Sequence, residues 1–199
     1  MADKFLDLAF TPEVRAAQKQ YYGRAQETPP SVSGHDPLGD DEIGFIKERD
    51  SFYLSSVNAD GWPYVQHRGG PPGFCKIIGP NQLAFADFKG NRQLLSTGNF
   101  ATNDRVCLFF MDYPGRQRLK LLGRAEVLDA REYPQLVTAL TTPELEKFVE
   151  RIFRVQIVSF DWNCPKYITP RYTAGEVSKL IAPLKNRIAE LEAQLANQG

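Results

Sequence analysis

"QRLKLLGRAEVLD", residues 117–129, carries an alternation that a helix would destroy. Leu119, Leu121, Gly123, Ala125 and Val127 fall on one face, with mostly basic or polar residues between them. A period of two sustained over such a length predicts a half-buried strand long enough to run the full height of a barrel. Shorter runs on either side read the same way. "SFYLSSV" (51–57) is followed by the turn signal "NADG" and then by "WPYVQHR" (62–68). "FCKII" (74–78), "QLAFAD" (82–87), "RVCLFFMD" (105–112) and "FRVQIVSFDW" (153–162) follow, punctuated by "GPN" and other breakers.

Helical signals lie outside and between these strands. In "FTPEVRAAQKQYYG" (10–23), Thr11 can cap, Pro12 fits the first helical position and Gly23 can end the helix. "DDEIGFIKERD" (40–50), "AREYPQLVTAL" (130–140) and "TPELEKFVERI" (142–152) also read as helices. Residues 24–40 are rich in Pro, Ser and Gly and read as a loop or arm. Antiparallel strands with intervening helices predict a mainly-β, α+β domain: a small antiparallel β-barrel with helices packed outside.

The tail is distinct. "TAGE" (173–176) has the form of a capping box. Val177, Ile181, Leu184, Ile188, Leu191 and Leu195 follow at alternating spacings of four and three, an a/d seam. Pro183 predicts a kink or a restart of that helix. The seam serves equally for pairing with a second chain and for docking on its own barrel. The expected organisation is an N-terminal helix and arm (1–40), a barrel (41–172) and a C-terminal amphipathic helix (173–199).

Charge bounds the function classes. The chain has 199 residues, with 24 Lys and Arg against 24 Asp and Glu. No global field draws it to nucleic acid or to an acidic membrane, so any phosphate recognition is local. No apolar run approaches the ~20 residues of a membrane helix, and the first residues do not read as a secretory signal. Cys75, Cys107 and Cys164 are scattered and odd in number. They argue for a reducing cytoplasm and against a disulfide framework or zinc site. No metal site is expected: His35 with Asp36, Asp40 and Asp41 reads as a polar loop.

Two basic clusters could carry chemistry. Gln66, His67 and Arg68 run into Gly69, Gly70, Pro71, Pro72 and Gly73. Such a glycine-rich backbone lets a ligand approach, and an arginine beside it can grip an anion; a surface strand with a loose hairpin is the plainer reading. In "AFADFKGNRQLLSTGN" (84–99), a strand ends in Asp87, Lys89, Gly90, Asn91 and Arg92 before a helical stretch. That is either a solvated loop or a phosphate corner. The two clusters lie in neighbouring predicted strands and could converge, although no G-x-G-x-x-G or Walker loop is present. Arg116, Arg118 and Lys120 form a basic strand face: a solvated face by default, or, at a subunit interface, one that could reach a ligand of a partner subunit. Trp162 either packs in the core or walls a planar ligand. No H-E-x-x-H or G-x-S-x-G motif marks a hydrolase.

The order "DGWPYVQHRGG", "LAFADFKGNRQ", "NDRVCLFF", "GRQRLKLLGRAEVL" resembles the pyridoxamine 5'-phosphate oxidase-like flavin-binding family, in its shorter branch, over roughly residues 40–172. The resemblance implies a six-stranded-type antiparallel split β-barrel that forms a homodimer, with FMN held in clefts at the dimer interface. It further implies that Gln66, His67, Arg68 and Gly69 lie along FMN and that Asp87 sits near it. Lys89, Gly90, Asn91 and Arg92 would surround the phosphate, with Ser96 and Thr97 as second choices. Gln117 or Arg118 would reach the FMN of the other subunit, and Trp162 and Arg171 match late family residues. The oxidase's own strand ends in lysine where this chain has "QHRGGPP", and its C-terminal signature is replaced by "NCPKYITPRY" and the heptad helix.

The implied function is therefore an FMN-dependent oxidoreductase acting on a small-molecule redox substrate, with His67 as the candidate acid or base. The alternatives are a non-catalytic flavin-binding module, or a haem- or deazaflavin-binding protein on the same fold. A dimeric interaction protein organised by the tail is a further reading.

Overall fold

The computed structural model describes residues 3–28, 34–90, 92–162 and 164–197. The elements in chain order are helices α1 (Asp3–Ala9), α2 (Pro12–Tyr22) and α3 (Asp40–Glu48), then strands β1 (Ser51–Val57), β2 (Pro63–Gly69), β3 (Lys76–Gly79) and β4 (Gln82–Phe88). Helix α4 (Leu95–Phe100) leads to β5 (Arg105–Asp112) and β6 (Gln117–Asp129). After a 3-10 turn (Ala130–Glu132) come α5 (Pro134–Leu140), α6 (Pro143–Glu146), β7 (Val149–Trp162) and α7 (Ala174–Ala196). The chain divides into two compact units, one of residues 1–111 and 118–164, the other of residues 112–117 and 165–199.

In the first unit, antiparallel strands form one seven-stranded sheet in the order β2-β1-β5-β6-β7-β4-β3. It does not close on itself, as in a split barrel. The long strands form its middle because their apolar phase can be buried along the whole length. Phe52, Leu54, Leu83, Phe85, Leu108, Phe110, Leu119, Leu121, Phe153 and Val155 supply the inner core. The rings interlock: Phe52 lies 4.7 Å from Phe110 and 5.2 Å from Phe85, which stacks on Phe153 at 5.2 Å. Such aromatic pairs each add to the burial of their area. Gly123 sits at a register shift between β6 and β7, where an added Cβ would meet the Gln156 carbonyl oxygen at 2.7 Å. The close approach of the two strands requires glycine there.

A smaller cluster on the opposite face joins Ala84, Leu128 and Ile152 to Val137 and Leu140 of α5. Helix α1, which the sequence reading did not anticipate, buries Leu6. Its Lys4 backbone N–H donates to Asp36 at 3.2 Å, and Asp36 accepts a 2.5 Å hydrogen bond from Ser159 of β7. The α2 caps are as expected: Thr11 accepts from the Val14 N–H, and Gly23 ends the helix at φ 75°.

One expectation is corrected. Residues 142–152 do not form one helix; α6 stops at Glu146 and β7 begins at Val149. Helix α6 buries no residue, whereas strand pairing gives Val149, Arg151 and Ile152 partners on β4 and lets Ile152 reach the core. Tertiary pairing outweighs local helix preference here. Helix α7 is continuous through Pro183, with no restart.

In the second unit, α7 is opened by the expected capping box, Thr173 accepting from the Glu176 N–H and Glu176 accepting from the Thr173 N–H. Arg171 places its guanidinium 4.9 Å from the Tyr113 ring centre.

Candidate functional site

Strand alternation divides the first basic cluster. On β2, Tyr64, Gln66 and Arg68 point to one side and are half-buried, while Val65, His67 and Gly69 point to the other and are exposed. On β4, Phe85 and Asp87 share the inner phase, and Asp87 is buried. On β7, Arg151 and Phe153 share that phase, and Arg151 stands directly across from Asp87 in the ladder.

These residues meet at a carboxylate clamp. The Asp87 carboxylate accepts a hydrogen bond from Arg68 Nη1 at 2.5 Å through one oxygen and from Arg151 Nε at 2.8 Å through the other. Such charge-assisted bonds are about twice as strong as neutral ones. Arg68 also lies over Phe153, its guanidinium carbon 4.8 Å from the ring centre, a cation–π contact that holds the side chain in place. Its Nε is buried and has no hydrogen-bond partner among the described residues. Arg151 makes a further 3.0 Å bond to Glu150.

Above the clamp lies a cleft of about 180 Å³. Tyr64, Gln66, Arg68, Asp87, Arg92 and Arg151 line it, joined by Gly90 and by the 93–97 stretch at the start of α4. Ser96 is buried and its hydroxyl donates to the Gln66 side-chain oxygen at 3.1 Å. Asn99 ties α4 to β1 through a 2.8 Å bond to the Ser56 hydroxyl. The connecting loop turns sharply, with Arg92 at φ 62° and Leu94 at φ 55°. Left-handed backbone at non-glycine residues costs about 1–2 kcal/mol each; Gly90 and residues 92–97 line the cleft. Three guanidinium groups thus line the cleft against one carboxylate among the described residues. Arg92 has no ion pair among them, which leaves its charge free for an anion. Helix α4 has six residues, too short for a strong helix field at its N-terminus.

The structure therefore brings together Gln66, Arg68, Asp87, Gly90 and Arg92, with Ser96 and Thr97, the second choices for the phosphate. It places the other candidates elsewhere. His67 and Gly69 face away from the cleft, and the His67 ring lies 5.6 Å from that of Tyr53. Lys89 is exposed and does not line the cleft, and Asn91 lies outside the described residues. Arg118 donates to the Cys164 carbonyl at 3.2 Å. Gln117 is exposed, and it and Arg171 belong to the second unit. Trp162 packs edge-on against Phe45 at 4.8 Å and donates its indole N–H to Glu42 at 2.6 Å. That is the core alternative for this residue.

Arg151 was missed by the sequence reading. The signal was available: "RIFRVQI" puts Arg151 in phase with Phe153 and Val155, and a charge in the inward phase of a strand demands a buried partner. Asp87, in phase with Leu83 and Phe85, is the matching demand on β4. The pairing register needed to join them joins residues 64 apart in sequence.

No curated protein matches the chain. A putative pyridoxamine 5'-phosphate oxidase from Lactobacillus delbrueckii is similar in structure, with 22% identity over 63% of this chain and 93% of that one and a TM-score of 0.49. An FMN-binding protein from Syntrophomonas wolfei gives 11% identity, 61% and 86% coverage and a TM-score of 0.44. The haem storage protein HutZ from Vibrio cholerae gives 18% identity, 59% and 89% coverage and a TM-score of 0.43. Residues 42–159, more than half of the sequence, match the family model described as pyridoxamine 5'-phosphate oxidase, and the chain belongs to that family.

Proposed function

We propose that this protein binds FMN and serves as an FMN-dependent oxidoreductase of a small-molecule substrate, working as a homodimer in the cytoplasm. The observation that carries this reading is the excess of guanidinium groups in the cleft, with Arg92 lacking an ion pair among the described residues and Thr97 also lining the cleft. That donor set suits a phosphate dianion, which takes bidentate guanidinium contacts and hydroxyl donors. Arg68 would hold the ligand from the β2 side, and Asp87 keeps Arg68 and Arg151 in position. When bound, the flavin supplies the hydride chemistry, and the protein supplies binding, orientation and charge.

The size of the cleft supports the dimer. Ligands of this class fill pockets of about 300–1,000 Å³, and about 180 Å³ accommodates only the phosphate end. The ring requires a second wall, and Gln117 or Arg118 of the partner subunit is the proposed source. No helix among the described residues is long and apolar enough to cross a membrane.

The test is the visible spectrum of the purified protein followed by FMN titration of Arg92→Ala. A charged hydrogen-bond contact is worth about 1.5–3 kcal/mol, so affinity falls roughly 10- to 100-fold at unchanged melting temperature. Unchanged affinity removes Arg92 from the phosphate site. A haem-like band in place of a flavin spectrum overturns the cofactor.

A further inference from the structure

Helix α7 presents its seam to solvent. Val177, Leu184, Ile188, Leu191 and Leu195 are 42–69% exposed, and the stripe follows one face of a helix that is capped and continuous. A lone amphipathic helix of this kind gains most of its stability from covering such a face.

The pattern of side chains says what covers it. Ile181, Ile188 and Leu195 occupy a positions, and Val177, Leu184 and Leu191 occupy d positions. Isoleucine at a with leucine at d selects two parallel strands, because the packing angles at the two layers differ. Pro183 falls at c, on the outer side, where it does not interrupt the seam.

The flanking charges select the same arrangement. Arg187 is at g and Glu192 at the following e. In a parallel, in-register pair each Arg187 lies across from Glu192 of the partner subunit. An antiparallel pair that preserves the core layers sets Arg187 against Arg187 and Lys185 against Lys185, both repulsive. Within one chain Arg187 already bonds Glu190 at 2.8 Å, but both side chains are more than half exposed, so the arginine is free to exchange partners.

We infer that α7 pairs with α7 of a second copy of this chain as a parallel, in-register two-stranded coiled coil. The inference does not depend on the flavin reading.

The full-length Leu191→Cys variant tests it under mild oxidation, with the unmodified chain as control and with peptide mass locating the link. A parallel pair brings the two d-position Cβ atoms within disulfide range, so a covalent dimer joined 191 to 191 is the expected product. A chain that stays monomeric, or one linked internally to Cys164 or Cys107, overturns the proposal and shows the helix docked on its own body. The antiparallel arrangement yields instead a 181-to-191 link in the Ile181→Cys/Leu191→Cys variant, which also overturns it. Adding Glu192→Arg to Leu191→Cys cuts the yield several-fold, and adding Arg187→Glu as well restores it. Insensitivity of the link to both changes overturns the charge assignment that sets the register. The link forms with or without added FMN, so failure of the flavin reading leaves this result intact.

Discussion

The cleft and the terminal helix invert one another. The cleft gathers Arg68, Asp87 and Arg151, residues 19 and 64 positions apart, and satisfies their charges within one chain. Helix α7 gathers its apolar residues within one short segment and leaves them exposed. What is assembled from distant strands finds its ion-pair partners within the chain; what is assembled locally leaves its apolar face uncovered. Local pattern announces a need, and only tertiary structure shows whether the same chain meets it.

The largest expected effect breaks the cleft side of that comparison. Asp87→Ala leaves two guanidinium groups facing each other in a largely buried position, and removing one partner of such a network costs about 3–5 kcal/mol. Urea denaturation of the variant gives a clearly lower midpoint; a midpoint equal to wild type shows that the arginines find other acceptors.

The second prediction strengthens the helix side. Proline in a helix interior costs about 3 kcal/mol relative to alanine, and Pro183 lies well inside α7. Pro183→Ala therefore slows amide exchange along α7 and leaves FMN affinity as it was. Exchange that stays as fast as in wild type removes Pro183 as the weak point of the helix.

The smallest effect is at the start of the same helix. Thr173→Ala removes the side-chain acceptor of the capping box, and a lost N-cap costs about 1 kcal/mol. Far-ultraviolet circular dichroism then shows fraying of α7 with no change in the unfolding midpoint of the barrel. A lowered barrel midpoint shows that the cap stabilises more than α7.

The same contrast explains what the sequence could disclose. Residues 117–129 and the heptad seam were legible because their signals are periodic and local. Residues 147–152 were misread because Leu145, Phe148 and Ile152 mimic helical spacing, while the pairing of Arg151 with Asp87 decides in favour of a strand. The site was legible as a set of residue types and not as an arrangement. Four consecutive residues, Gln66 to Gly69, were grouped by sequence, and the pleat sends them alternately to opposite faces. Arg151 stayed hidden because a single charge in a strand names its partner only through the ladder register. Trp162 was left with two readings until Phe45 and Glu42 were seen beside it.

The strand order sets β2 and β3 at the two margins of the sheet. A margin is where a foreign strand could add and begin a fibril. β3 offers four residues, broken by a register shift, and so presents little to copy. β2 offers seven with exposed Val65 near the middle, but Pro63 opens it and Gly70-Pro71-Pro72 follows its last residue, Gly69. Prolines cannot donate to a growing ladder. The strand that carries Gln66 and Arg68 into the cleft is thus closed to aggregation at both ends, while its middle stays open to a ligand.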